Sequence, residues 1–141
     1  MVNEISVMDI LHDEDVKWIV SHGKRIGVSP NQVLIREGEP MDSLFVLLDG
    51  CLHVIRGGRH VSTVHSGEIL GEVSFLDSRA PMATVTAAVH SKVLAIPRAL
   101  VMTRLASDAD FAARFFRALA VLLAARLRIT TARLAMEATL Y

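Results

Sequence analysis

Gly67-Glu68-Ile69-Leu70-Gly71-Glu72-Val73-Ser74-Phe75-Leu76-Asp77-Ser78-Arg79-Ala80-Pro81-Met82-Ala83-Thr84-Val85 is the most informative stretch of the chain. It reads as a Gly-rich turn leading into about one helical turn, then a loop, then a β-branched strand. The first N–H groups of a helix have no intrahelical acceptor, so they make a ready anion site. Glu72, beside them, would repel a phosphate but accept hydrogen bonds from sugar hydroxyls. Turn, loop and strand in this order are common, so the flanking sequence has to give the stretch its meaning.

Around it, from Lys24 to Pro97, the chain is a succession of short β-rich runs: Gln32–Arg36, Leu44–Leu48, Leu52–Arg56, Arg59–Val64, Thr84–Val89 and Lys92–Ile96. Ser29-Pro30-Asn31, Gly38-Glu39-Pro40, Asp49-Gly50, Gly57-Gly58 and Ser66-Gly67 punctuate them. Gly57-Gly58 suits a two-residue hairpin turn, whose central residues need positive φ. Many short strands without intervening helices indicate an antiparallel sandwich or barrel. Ahead of this zone, Met8 to His22 mixes apolar residues with acids and stops at Gly23, which predicts a short amphipathic helix. Behind it, Pro97 suits the start of a short helix to about Leu105, and Ser107 with Asp110 resembles a capping box. From Asp108 to about Ala138 there is no Gly or Pro, which predicts a helix roughly 45 Å long.

With 141 residues, 52% of them hydrophobic and 21% charged, the chain has the makings of one globular domain. Fifteen Lys+Arg balance fifteen Asp+Glu, which argues against direct binding of nucleic acid through a basic excess. The balance hides an asymmetry: Met1 to Asp15 holds five acids and no Lys or Arg, whereas Ala112 to Met136 holds five arginines and no acid. These are either two solvated faces or two ends that attract each other within or between subunits. Cys51 is the only cysteine, which excludes an internal disulfide and a Cys-based zinc site. Six histidines show no metal-ligand spacing; His53 and His60 straddle the Gly57-Gly58 turn and are placed to face each other. Cys51 and the serines lack a base-and-orienter arrangement and no Walker-type run appears, so no enzyme is expected. The longest apolar run, Ala118 to Ala125, is far short of the ~20 residues of a membrane span. The acidic N-terminus is unlike a signal peptide, so the expected location is cytoplasmic, with no membrane partner.

Phe111, Phe115, Ala118, Leu122, Ala125, Ile129, Ala132 and Met136 follow one another at alternating spacings of four and three, an unbroken heptad seam. Such a seam predicts a coiled-coil homodimer, with Phe111, Phe115, Ala118, Leu122, Ala125 and Ile129 in the interface. Extra apolar residues at Phe116, Leu119, Leu123 and Leu127 would let one flank of the helix cover the barrel as well.

The chain resembles the cyclic-nucleotide-binding domains of catabolite activator proteins, cyclic-nucleotide-dependent kinases and gated channels. Leu70-Gly71-Glu72-Val73-Ser74-Phe75-Leu76 is similar to the start of that family's phosphate-binding cassette, and Ala83-Thr84-Val85 to its end. Leu34-Ile35-Arg36-Glu37-Gly38-Glu39 and Phe45-Val46-Leu47-Leu48-Asp49-Gly50 resemble the glycine-bearing turns of its β-roll, and Ile96-Pro97-Arg98 the exit into its B helix. The resemblance implies a mainly β fold: an antiparallel β-roll or jelly-roll barrel with a short N-terminal helix, a one-turn cassette helix, a short B helix and a long C-terminal helix. It implies that Glu72 accepts from the ribose 2′-hydroxyl, and that the backbone around Gly71, Glu72, Val73, Ser74, Met82, Ala83 and Thr84 holds the cyclic phosphate. Thr130 and Thr131 stand where two adjacent hydroxyl residues of catabolite activator proteins contact adenine from both subunits.

One departure bears on affinity. Pro81, followed by Met82, occupies the place of the arginine that tight binders put before the Ala-Thr-Val ending. Losing a charge-assisted bond to a buried phosphate costs about 1.5–3 kcal/mol, one to two decades. Arg79, two residues earlier, either reaches in by a different loop path or stays solvated.

Residues 1–141 are therefore expected to be one domain, with an N-terminal helix over 1–23, a β-roll over 24–97 and C-terminal helices over 98–141, and with no DNA-binding or catalytic domain. The leading expectation is a stand-alone regulatory module that senses cAMP or cGMP, needs no other cofactor or metal, and signals through its C-terminal helix to an unidentified effector protein. The alternative is a degenerate copy of the fold, used as a ligand-independent dimerisation or scaffold module.

Overall fold

A computed structural model describes residues 7–139. The expected N-terminal helix is two pieces, α1 (Val7–Ile10) and α2 (Asp13–His22). The break comes where Leu11 turns into the core and His12 adopts an extended backbone (φ −78°, ψ 158°). Asp15 secures the new start by accepting the His12 backbone N–H at 2.9 Å, and Gly23 closes the helix by donating to the Ile19 carbonyl at 2.9 Å.

The β zone contains β1 (Lys24–Val28), β2 (Val33–Ile35), β3 (Ser43–Asp49), β4 (Cys51–Arg56), β5 (Arg59–His65), β6 (Ile69–Leu70), β7 (Thr84–Ala87) and β8 (Ser91–Pro97). They form two four-stranded sheets, ordered β1-β8-β3-β6 and β2-β7-β4-β5, and every pairing is antiparallel. Two of these strands went unread in the sequence. β1 opens on Lys24-Arg25 and carries Gly27, so its apolar signal is only Ile26 and Val28; β6 is two residues long. The hairpin between β4 and β5 turns on Gly57 (φ 57°) and Gly58 (φ 76°), the positive angles expected. It brings His53 and His60 to 4.7 Å between ring centroids.

Side chains of β3 and β8 divide between two cores, because successive residues point to opposite faces. Leu47 and Val93 pack between the sheets with Leu52, Val64, Val85 and Ala87. Leu44, Val46, Leu94 and Ile96 face outward against the helices. A sheet covered on both faces explains why Val93–Ile96 is a continuous apolar run.

The helical cover comes from α3 (Glu72–Asp77), α4 (Arg98–Ser107) and α5 (Ala109–Thr139). α5 is capped by Asp108, whose Oδ1 accepts the Phe111 N–H at 3.0 Å; the Ser107 hydroxyl instead bonds back to the Arg104 carbonyl. The expected capping box is therefore not formed: a single N-cap bond from Asp108, one residue later, takes its place, and the third residue onward is Phe111, which has no acceptor to return. The heptad seam also needs correction. Phe111, Phe115 and Ala118 are buried in the chain's own helix-facing core, with Phe111 at 0% exposure, and Leu122 packs against its edge. A 3.5-residue spacing cannot distinguish a helix facing its own sheet from one facing a second copy. Beyond Leu122 the seam is uncovered: Ala125 is half-buried, and Ile129 and Met136 are exposed.

Candidate functional site

α3 starts because Gly71 adopts a left-handed conformation (φ 86°), which turns β6 abruptly into the helix. A Cβ at this position would also meet the methyl of Met41. Glu72 follows as the first residue of α3 and is 5% exposed. Its carboxylate is paired with a group from the far end of the chain: Arg126 of α5 donates through Nη1 to Glu72 Oε1. Arg126 Nη2 donates to the Ile69 carbonyl at 2.5 Å and lies 3.9 Å from Glu68 Oε2. One turn pair further on, Arg133 Nη1 donates to the Val61 carbonyl of β5 at 2.5 Å. Two arginines seven residues apart share a helix face. That face lies on the part of the roll made by β5, β6 and the start of α3. The Glu72 Oε2 atom takes no hydrogen bond among the described residues.

The sequence candidates fall in four places. Gly71, Glu72 and Val73 are at the start of α3, where first-turn N–H groups have no intrahelical acceptor. Ala83 is half-buried and Met82 is 63% exposed. Thr84 is tied elsewhere, its hydroxyl accepting the Glu37 N–H at 3.1 Å, and Pro81 accepts the Gly38 N–H at 2.9 Å. The loop after α3 is thus pinned to the turn between β2 and β3.

Arg79 does not join Glu72. It lines a cleft of about 190 Å³ with Pro40, Met41, Ser74, Ser78, Ala80 and Arg98. Thr130 and Thr131 are both exposed. At about 100° per residue, Thr130 lies about 40° around α5 from Arg126, near the face on the roll, whereas Thr131 lies about 140° around. One chain can therefore offer only the first of the pair to its own roll. Arg126 is the site residue that sequence reasoning did not single out; it stood only as one of the five arginines between Ala112 and Met136, four residues before Thr130.

A second charged cluster anchors α5 at its other end. Asp15 is fully buried and accepts from Arg114 at 2.7 and 2.9 Å, and from Arg104 at 3.2 Å. The Arg104 guanidinium also lies 3.9 Å from the Phe111 ring centroid and 4.9 Å from that of Trp18. The Arg114 hydrogen bond, with help from the His12 N–H, holds the Asp15 carboxyl down at about 2 against the opposing effect of burial. Asp15 in turn raises Arg114. The acidic start and the arginine-bearing helix therefore meet within one chain.

A two-sheet antiparallel roll, a one-turn helix after a left-handed glycine and a long helix over a buried glutamate together define one class of domain. The sequence profile of the cyclic nucleotide-binding domain matches residues 25–108, and the chain belongs to that family. A curated relative, a cGMP-dependent protein kinase (isozyme 2) of Drosophila melanogaster, is 33% identical over 66 residues, covering 47% of this chain. The chain spans only 6% of that kinase's length. Among solved structures, a cyclic nucleotide-binding domain from Methylobacillus flagellatus superposes with a TM-score of 0.83 at 25% identity, covering 90% of this chain and 74% of that one. The catabolite activator protein of Thermus thermophilus shares the fold, with a TM-score of 0.77 at 24% identity over 94% of this chain and 62% of that one. Among the described residues no helix is long and apolar enough to cross a membrane.

Proposed function

We propose that this domain is a regulatory, non-catalytic sensor that takes a cyclic nucleotide between the start of α3 and the Arg126 face of α5. The contact from Arg126 to Glu72 carries this reading, because it ties the long helix to the carboxylate that the family resemblance assigns to the sugar. Glu72 has two oxygens with different neighbours. Oε1 holds Arg126; Oε2 is left for a ribose hydroxyl. The cyclic phosphate would lie on the first N–H groups of α3 and the backbone near Ala83. The ligand then shares one carboxylate with α5, so binding changes how firmly the helix is held, which is the differential contact a switch requires. The same helix passes the change to a partner chain. Pro81 in place of the phosphate-binding arginine sets the expected affinity one to two decades below that of tight binders.

The partner surface fits a second copy of this chain along the uncovered half of α5. Leu127 and Met136 are 67% and 70% exposed, and Ile129 and Leu134 are exposed beside them. Ile129→Glu should then yield monomers by light scattering; a persistent dimer would remove Ile129 from the interface.

Pro81, Met82 and the same exposed apolar residues favour a second reading, a ligand-independent dimerisation module. Titration calorimetry with cAMP and cGMP separates the two. Saturable binding of either nucleotide supports the sensor. No heat and no thermal shift at about millimolar ligand, a free energy near −4 kcal/mol, leaves the dimerisation module.

A further inference from the structure

The cleft that took Arg79 away from Glu72 has a chemistry of its own. Its lining combines two guanidinium groups, Arg79 and Arg98, with the hydroxyl residues Ser74 and Ser78. Neither arginine has an ion-pair partner among the described residues. The nearby carboxylates are engaged otherwise: Glu39 pairs with Arg36 at 3.6 Å, Asp42 accepts from Ser43 at 3.5 Å, and Asp77 accepts the Arg79 backbone N–H at 2.9 Å.

Arg98 is held in place by the fold. Its Nη2 donates to the Phe75 carbonyl at 3.3 Å and to Ser78 Oγ at 2.9 Å, and its guanidinium carbon lies 5.5 Å from the Phe75 ring centroid. Its Nε is buried with no partner, and a buried donor left unmade is costly. A fixed guanidinium with no counter-charge, a second guanidinium lining the same cleft and two hydroxyls make an oxyanion receptor, since the guanidinium fork matches phosphate geometry. A water needs only ~10–15 Å³ of such space, so about 190 Å³ admits a tetrahedral oxyanion with part of its ester.

We infer that this cleft, on the far side of α3 from Glu72, is a second anion site that takes the phosphate group of a small phosphomonoester or of free phosphate. Because Ser78 closes α3 and Arg98 opens α4, an anion there would link the end of the cassette helix to the start of the helical cover. The inference does not depend on a cyclic nucleotide binding at Glu72.

The test is calorimetric titration of the full chain with inorganic phosphate and with 5′-AMP, against chloride at matched ionic strength. Saturable binding should weaken by about tenfold in Arg79→Gln and at least as much in Arg98→Lys, which keeps the charge and loses the fork. Arg79 is exposed and decides the matter alone if the Arg98 variant does not fold. Binding of 5′-AMP tighter than phosphate identifies an ester ligand; equal binding identifies free phosphate. Glu72→Ala should leave the phosphate titration unchanged. No saturation up to about 10 mM, an equal thermal shift with chloride, no effect of Arg79→Gln, or loss in Glu72→Ala would each overturn the second site.

Discussion

Glu72 and Gly71 show how much a single position can decide. Gly71 holds φ at 86° where the chain turns from β6 into α3, and a side chain there adopts this backbone at a cost of about 1–2 kcal/mol. The overlap with the end of Met41 is softer, since that side chain can shift. Gly71→Ala should therefore lower stability by about 1–2 kcal/mol in urea denaturation; an unchanged midpoint would mean that the turn relaxes freely. Glu72, next in sequence, is buried with its carboxylate paired to Arg126. Glu72→Ala should remove the sugar acceptor and weaken cyclic-nucleotide binding by a decade or more, read by calorimetry; unchanged affinity would remove Glu72 from the site.

At the scale of elements, α5 does two jobs in sequence along its length. Its first three turns bury Phe111, Phe115 and Ala118 against the β3–β8 sheet. Its later turns touch the roll through Arg126 and Arg133. Arg126→Ala should leave the first part protected and speed amide exchange from about residue 126 onward by about tenfold or more, since hydrogen bonds to charged groups are worth about 1.5–3 kcal/mol each. Uniform protection along α5 in that variant would show that the arginine does not hold the helix.

The seam illustrates what sequence conveys and what it leaves out. Spacing gave the helix, its length and its apolar residues, because those depend on local periodicity. It could not say which partner the apolar face meets, because a sheet and a second helix both accept the same stripe. The same limit applies to the site. Gly71, Glu72 and the turn into α3 were legible from seven consecutive residues. The Arg126 contact joins residues 54 apart, and Arg79's place depends on the path of a loop pinned by Gly38 and Thr84. No local pattern encodes either.

Across the whole molecule, the zero net charge resolves into two clamps on α5. One is Glu72 with Arg126; the other is Asp15 with Arg104 and Arg114. The Asp15 clamp has a pH signature. A carboxyl held at about 2 in the folded state, against an ordinary value of 3.8, binds fewer protons folded than unfolded. Its contribution, about 2 kcal/mol, is fully present above pH ~4 and is lost as pH falls toward 2. In Asp15→Asn that part of the acid destabilisation should vanish, and neutral-pH stability should drop by about 3 kcal/mol, because partly buried Arg114 loses its paired carboxylate and Arg104 keeps only Asp108 at 3.7 Å. Equal acid sensitivity in the variant would assign the transition to other carboxylates.

In the proposed mechanism, ligand and long helix meet at Glu72. Hydrogen–deuterium exchange with and without saturating cyclic nucleotide tests it most directly. Altered exchange is expected at the start of α3 and in α5 beyond Arg126, with the Phe111–Ala118 turns unchanged. Ligand binding that leaves both segments unaltered would contradict it.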